Sequence, residues 1–138
     1  MIWPRVILWL LATGFAGFGV AYAGWPAAMS ALTGIALPTS TARIDFAATY
    51  GGVQLGLATF LGLCARAREK SRVRSGLLAS ACVLLGLVIV RVVGLLSAAS
   101  AGTVIYLGLT IELIGAALAL WAVLRISTYG SNRESGSR

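Results

Sequence analysis

The chain has 138 residues, of which 59% are hydrophobic and only 11% are charged. Its mean hydropathy of +0.92 is far above that of a soluble globular domain, so we expect an integral membrane protein with no second folded domain. The net charge is +7, but the basic residues lie beside the apolar runs, where they set membrane topology, so we exclude nucleic acid as a partner.

Four apolar runs follow one another along the chain, at residues 6–23, 46–64, 76–98 and 103–124. Each is long enough to cross a hydrocarbon core of about 30 Å as a helix that rises about 1.5 Å per residue. Because a segment in lipid must satisfy its own backbone hydrogen bonds, we predict helices despite the valine and isoleucine content. The predicted fold is all-α: a four-helix transmembrane bundle over residues 1–126, followed by a polar cytoplasmic tail over residues 127–138.

The first run also has features of a cleavable signal peptide. Arg5 precedes the apolar residues, and the ending Ala21-Tyr22-Ala23 resembles a signal-peptidase site. The run is nevertheless long for a signal sequence, and it contains three glycines that suit helix packing. We therefore expect it to be retained as the first membrane helix.

The connection between the first two runs is longer than a tight turn and is itself apolar. Pro26 suits a helix start, residues 27–32 suit a short helix, and Gly34 suits its end. Trp25 and Leu32 make this segment apolar enough to lie in the membrane interface. It is either a lid over the outer end of the bundle or a plain interfacial connector.

The connection between the second and third runs is strongly basic. Its cations are Arg66, Arg68, Lys70, Arg72 and Arg74. Arg5 and Arg125 belong to the same side of the membrane, whereas one of the other connections holds Arg43 and Asp45 and the last holds no charge. The positive-inside rule places both termini and the basic connection in the cytoplasm. We expect a multi-pass membrane protein.

Two opposite charges interrupt the third and fourth runs at similar depths. Arg91, in "LGLVIVRVVGLL", lies roughly 10 Å below the outer end of its helix, and Glu112 lies roughly 13 Å below the same end. The connection between these helices is short, so they are antiparallel neighbours and we predict an Arg91–Glu112 ion pair. Each charge alone would cost about 2.5–3.5 kcal/mol at a helix centre, and pairing offsets part of this cost.

The second run adds polar side chains in the same outer half of the membrane. Tyr50 and Gln54 share a helix face at this depth, and an outer rim lies nearer the surface. The rim residues are Arg43, Asp45 and Thr49. We predict a polar cluster of Tyr50, Gln54, Arg91 and Glu112. It is either a buried network that fixes the helix register or a small outward-opening pocket that binds a lipid or quinone.

Small residues mark the predicted helix contacts, because close backbone approach drives helix association in lipid. The glycines expected at these contacts are Gly17, Gly52, Gly56, Gly94 and Gly108.

Several kinds of chemistry are absent from the sequence. There is no histidine, and Cys64 and Cys82 are isolated, so we expect no metal site and no cofactor. No nucleophile–base pair is recognisable, so we assign no catalytic residue and expect a protein that is not an enzyme.

The stretch "DFAATYGGVQLGLATF" (residues 45–60), followed by Arg91 and Glu112, resembles a family of small bacterial four-helix membrane proteins. That family is catalogued as a domain of unknown function and is distantly similar to the DoxX-like proteins. Ala47 stands where the family pattern has an arginine, and Arg43 lies one helical turn earlier. The resemblance implies the four-helix fold and brings no activity with it.

Three functions remain open. The first is a non-enzymatic accessory or structural subunit of a larger membrane complex, or a homo-oligomer, that holds a lipid or quinone in the outer polar pocket. The second is a small transporter or channel that uses the Arg91–Glu112 pair. The third is a lipid-modifying enzyme with Glu112 or Asp45 as acid/base and Tyr50 as helper, which we rank last.

Overall fold

The computed structural model describes residues 2–98 and 100–134, with side chains described as far as residue 126. The segments are α1 (Ile2–Gly24), α2 (Pro26–Thr33), α3 (Ser40–Phe46), a π-helical segment (Ala47–Gly52), α4 (Val53–Arg66), α5 (Lys70–Ser97) and α6 (Thr103–Glu134). Residues 127–134 of the predicted tail therefore continue α6, and residues 135–138 lie outside the described part.

Four helical stretches are long and apolar enough to cross a membrane: Ile2–Gly24, Ser40–Arg66, Lys70–Ser97 and Thr103–Ile126. In the second of these, α3, the π-helical segment and α4 form one continuous rod. The predicted all-α fold with four membrane-spanning helices is confirmed. Which end of the bundle faces the cytoplasm stays a prediction.

The short helix predicted between the first two spans is present as α2. Pro26 occupies its first turn, where the missing N–H of proline costs nothing. Gly34 ends it with φ of 75°, a left-handed conformation that glycine adopts without strain, and its N–H donates to the carbonyl of Ser30. Thr39 then caps α3 by accepting a hydrogen bond of 3.1 Å from the N–H of Ala42.

The four spans form two pairs. α1 packs along the π-helical segment and α4, and α5 packs along α6. We call the end that holds Arg5, the α4–α5 connection and Arg125 the basic end. The opposite end, which holds Tyr22 and Tyr50, is the tyrosine end.

The core lies where the two pairs meet, in the half nearer the basic end. Leu8, Leu61 and Leu77, from α1, α4 and α5, are completely buried there. Gly76 permits this contact, because a Cβ at that position would lie 2.7 Å from the Cβ of Cys64 and 3.0 Å from Leu8. The basic end is therefore the tightly packed part of the bundle.

A hydrogen bond from α1 fixes the geometry of the basic end. Arg5 donates through Nη2 to the carbonyl of Ala67 at 2.8 Å, just beyond the last residue of α4. A cation suits this place, because the carbonyls at a helix C-terminus carry partial negative charge. The start of α1 is thereby tied to the α4–α5 connection.

Four of the glycines predicted as contact points make no close contact within the described part of this chain. A Cβ added to any of them would meet nothing within 4 Å. They are Gly17, Gly52, Gly56 and Gly94. All four are exposed on outward faces of their helices, where a methyl group has room.

The close approaches between α1 and its partner fall on other glycines. A Cβ at Gly19 would lie 2.8 Å from Cγ of Leu55, and one at Gly51 would lie 2.7 Å from the backbone N of Ala23. The π-helical segment explains the change from Gly52 to Gly51, because its wider turn shifts the facing residues relative to an α-helix.

The predicted orientation is testable by labelling single cysteines, with Cys64 replaced by alanine and Cys82 by serine. A membrane-impermeant maleimide should label Ser40→Cys in intact cells and Arg68→Cys only after permeabilisation. The reverse pattern would contradict the cytoplasmic placement of the basic end.

Candidate functional site

The intramembrane charges predicted to pair are in direct contact. Nε of Arg91 donates to both carboxylate oxygens of Glu112, at 3.0 Å to Oε1 and 2.9 Å to Oε2. The Glu112 side chain is 9% exposed, whereas that of Arg91 is 31% exposed. The carboxylate is therefore enclosed by protein, and the guanidinium reaches the edge of the bundle.

Gly108 gives the guanidinium its place against α6. A Cβ at Gly108 would lie 3.2 Å from Cζ of Arg91 and 3.3 Å from Nη2. Gly108 lies one turn before Glu112 on the same helix face. The predicted contact at Gly108 exists, and its partner is the Arg91 side chain.

The ion pair uses only part of the hydrogen-bonding capacity of Arg91. A guanidinium has five N–H donors, and the hydrogen bonds to Glu112 come from Nε alone. Within residues 2–98 and 100–126, Nη1 and Nη2 have no hydrogen-bond partner. Because the side chain is partly exposed, these donors are accessible to a molecule outside the bundle.

Three aromatic rings form a cluster at the tyrosine end. Tyr22 of α1 stacks on Tyr50 of the π-helical segment, with centroids 5.6 Å apart and planes inclined by 26°. Phe46 of α3 lies 5.5 Å from Tyr22 and 4.9 Å from Tyr50. Phe46 is buried, whereas Tyr50 is 44% exposed. The rings therefore present one partly open aromatic face.

The aromatic cluster and the ion pair come from different helix pairs and lie at the same end of the bundle. The Arg91 guanidinium lies within electrostatic range of the Tyr22 phenol, and no hydrogen bond joins the two side chains. From here on, the polar cluster means Tyr22, Tyr50, Arg91 and Glu112. It differs from the predicted cluster in having Tyr22 in place of Gln54. It provides hydrogen-bond donors and an aromatic surface at the same end of the bundle.

The remaining predicted residues are less closely involved. Gln54 is half-buried, and its amide has no hydrogen-bond partner in the described part of the chain. The rim residues Arg43, Asp45 and Thr49 are exposed and make no side-chain hydrogen bond or ion pair with any described residue. They lie on the surface at the tyrosine end.

Sequence reasoning missed Tyr22 and Phe46 as members of this group. Tyr22 lies near the end of its span, where a tyrosine also suits the membrane interface, and Phe46 begins an apolar run. The four-residue spacing between Phe46 and Tyr50 was a usable signal for a shared face.

Two cavities of the structure lie away from the polar cluster. One of about 320 Å³ is at the basic end, beside Trp3 and Trp121. The other, of about 410 Å³, is an open groove on the α1–α4 face near Trp9 and Thr59. Among the described residues, no three acidic or cysteine side chains come together as a metal site would require.

Comparison with known families gave a match over most of the chain. The family described as "Domain of unknown function (DUF4345)" matches residues 4–123, which is most of the chain. Comparison with curated proteins and with solved structures gave no match.

Proposed function

We propose that this chain, which belongs to the DUF4345 family, is a non-enzymatic accessory or structural subunit of a larger membrane complex. In this proposal it holds the head group of a lipid or quinone at the polar cluster, with Gln54 at its edge. Its setting is the bacterial cytoplasmic membrane, with both termini in the cytoplasm, and the family is distantly DoxX-like.

The observation that supports this proposal best is that the Arg91 guanidinium is only partly hydrogen-bonded. Nε is fixed by Glu112, while the terminal N–H groups have no acceptor among the described residues. The backbone of Arg91 lies about six residues, roughly 9 Å, inside the end of α5. Leaving an N–H donor without an acceptor in hydrocarbon costs several kcal/mol of free energy. A bound acceptor would remove this cost.

The charge of the cluster favours a neutral acceptor. Glu112 balances Arg91 in direct contact, so the pair as a whole carries no net charge and does not select for an anion. A quinone carbonyl or a lipid ester carbonyl accepts hydrogen bonds without adding charge. The stacked rings of Tyr22 and Tyr50 suit a flat ring or the upper part of an acyl chain.

The surface of the bundle leaves room for docking to other subunits. Long aliphatic side chains are exposed along the spans, including Val90 and Leu96 on α5 and Leu107 on α6. Such faces contact lipid tails or the helices of other subunits equally well. With no catalytic constellation predicted, binding is the activity that these features favour.

The transporter alternative has less support. An ion or proton that left Glu112 for the basic end would have to cross the core, where Leu8, Leu61 and Leu77 leave no exposed surface. If the chain nevertheless transports, flux into proteoliposomes should depend on the Glu112 carboxylate. Flux that is unchanged by Glu112→Gln would remove the proposed carrier role.

Purification from the native membrane in a mild detergent tests the proposed function. We expect a stoichiometric membrane-protein partner, together with a lipid or quinone in the organic extract. Tyr50→Ala should lower the retained lipid or quinone several-fold, because it removes half of the stacked pair.

Tyr106→Ala is the matched control. Tyr106 is 52% exposed, close to the 44% of Tyr50, and it has no aromatic contact in the described part of the chain. Equal losses of bound lipid or quinone in the two variants would contradict the proposal. A lone monomer without bound lipid, quinone or protein would also contradict it.

A further inference from the structure

A second group of charged and aromatic side chains lies at the basic end, far from the polar cluster. A cavity of about 320 Å³ lies between the start of α1, the first residue of α5 and the end of the span in α6. Its lining includes Trp3, Lys70, Trp121 and Arg125. Two cations and two indoles therefore surround one space.

The two cations of this cavity are not neutralised by the protein as described. Glu69 pairs with Arg72 and Glu112 pairs with Arg91, and no described carboxylate pairs with Lys70 or Arg125. Arg125 is held in place by Trp121, with its Cζ 5.1 Å from the ring centroid. The site thus combines a positioned guanidinium with an ammonium on a neighbouring helix.

The start of α5 adds donors on the same side. α5 begins at Lys70, and the Glu69 side chain at its N-cap accepts a hydrogen bond of 3.0 Å from Nε of Arg72 and none from the backbone N–H groups of the first turn. The first N–H groups of a helix lack intrahelical acceptors and carry partial positive charge, which favours an anion. The first turn of α5 therefore adds partial positive charge beside Lys70.

The position of the cavity identifies the kind of anion. Ile2, Lys70 and Ile126 are terminal residues of three membrane spans, so the cavity lies at the level where head groups meet acyl chains. Exposed Trp3 and Ile2 supply an apolar surface beside the charges. Basic pockets between membrane helices at this level bind anionic head groups.

We propose that this cavity binds the phosphate of an anionic phospholipid between Lys70 and Arg125, with the acyl chains lying along the apolar start of α1. Native mass spectrometry of the full chain with a mixture of phosphatidylglycerol and phosphatidylcholine tests this. The wild-type protein should retain phosphatidylglycerol preferentially. Lys70→Gln and Arg125→Gln should each lower that preference about fivefold.

Two further variants distinguish binding in this cavity from a general attraction of anionic lipid to the basic surface of the protein. Arg74→Gln removes the same charge from an exposed position on α5 outside the cavity lining, and it should leave the preference within about twofold. Arg125→Lys keeps the charge and should retain most of the preference. A loss for Arg74→Gln equal to that for Lys70→Gln would overturn the site.

Inorganic phosphate distinguishes a lipid from a soluble anion. Added at the lipid concentration, it should not displace phosphatidylglycerol, because it makes no apolar contact with the lining. Displacement at that concentration, or the absence of any preference for phosphatidylglycerol in the wild-type protein, would overturn the proposal.

Discussion

Replacing Arg91 with leucine should destabilise the protein by about 2–4 kcal/mol, more than replacing Arg91 and Glu112 together with leucine. The single change leaves the Glu112 carboxylate enclosed and without its only described ion-pair partner. The double change removes both charges and fills the space with apolar groups. The partial exposure of Arg91 keeps the expected loss below that of a fully buried pair.

Denaturant unfolding in a mild detergent, followed by helical circular dichroism, measures both variants. Arg43→Leu is the control, because Arg43 is exposed and has no described ion pair, and it should change stability by less than about 0.5 kcal/mol. A double variant as unstable as Arg91→Leu would show that pairing is not what accommodates these charges.

Gly51→Ala should destabilise the bundle by about 1–3 kcal/mol, whereas Gly52→Ala should be neutral or slightly stabilising. A methyl group on Gly51 would lie 2.7 Å from the backbone N of Ala23. Backbone cannot rotate aside as a side chain can, so α1 and the π-helical segment must separate. At Gly52 the same methyl group meets nothing within 4 Å.

The same unfolding assay compares these adjacent glycines. Both variants add one methyl group within the π-helical segment, so helix propensity alone does not separate them. Equal stability of Gly51→Ala and Gly52→Ala would contradict the contact between this segment and Ala23.

The fold could be predicted because it depends on signals that are local in sequence. Four apolar runs of spanning length require helices in lipid. Pro26 and Gly34 mark α2 through their own backbone restrictions. The contact of Arg91 with Glu112 was also predictable. A short connection makes the two helices antiparallel neighbours, so the number of residues between each charge and the connection gives its depth in the membrane.

The features that could not be predicted depend on rotation and on contacts distant in sequence. Composition does not reveal a π-helical turn, and that turn decides whether Gly51 or Gly52 faces α1. The stacking of Tyr22 on Tyr50 likewise requires knowing how α1 is rotated against its partner. The separation into two helix pairs, with the core near the basic end, depends on contacts between residues that are distant in sequence. No short stretch of the sequence indicates it.

The most direct test of a binding site at the polar cluster is the amount of lipid or quinone that the Arg91→Leu/Glu112→Leu double variant retains after purification in a mild detergent. This variant should stay folded yet lose most of the bound molecule, because its guanidinium donors are gone. Retention equal to that of the wild-type protein would contradict the site and leave the ion pair as a structural contact alone.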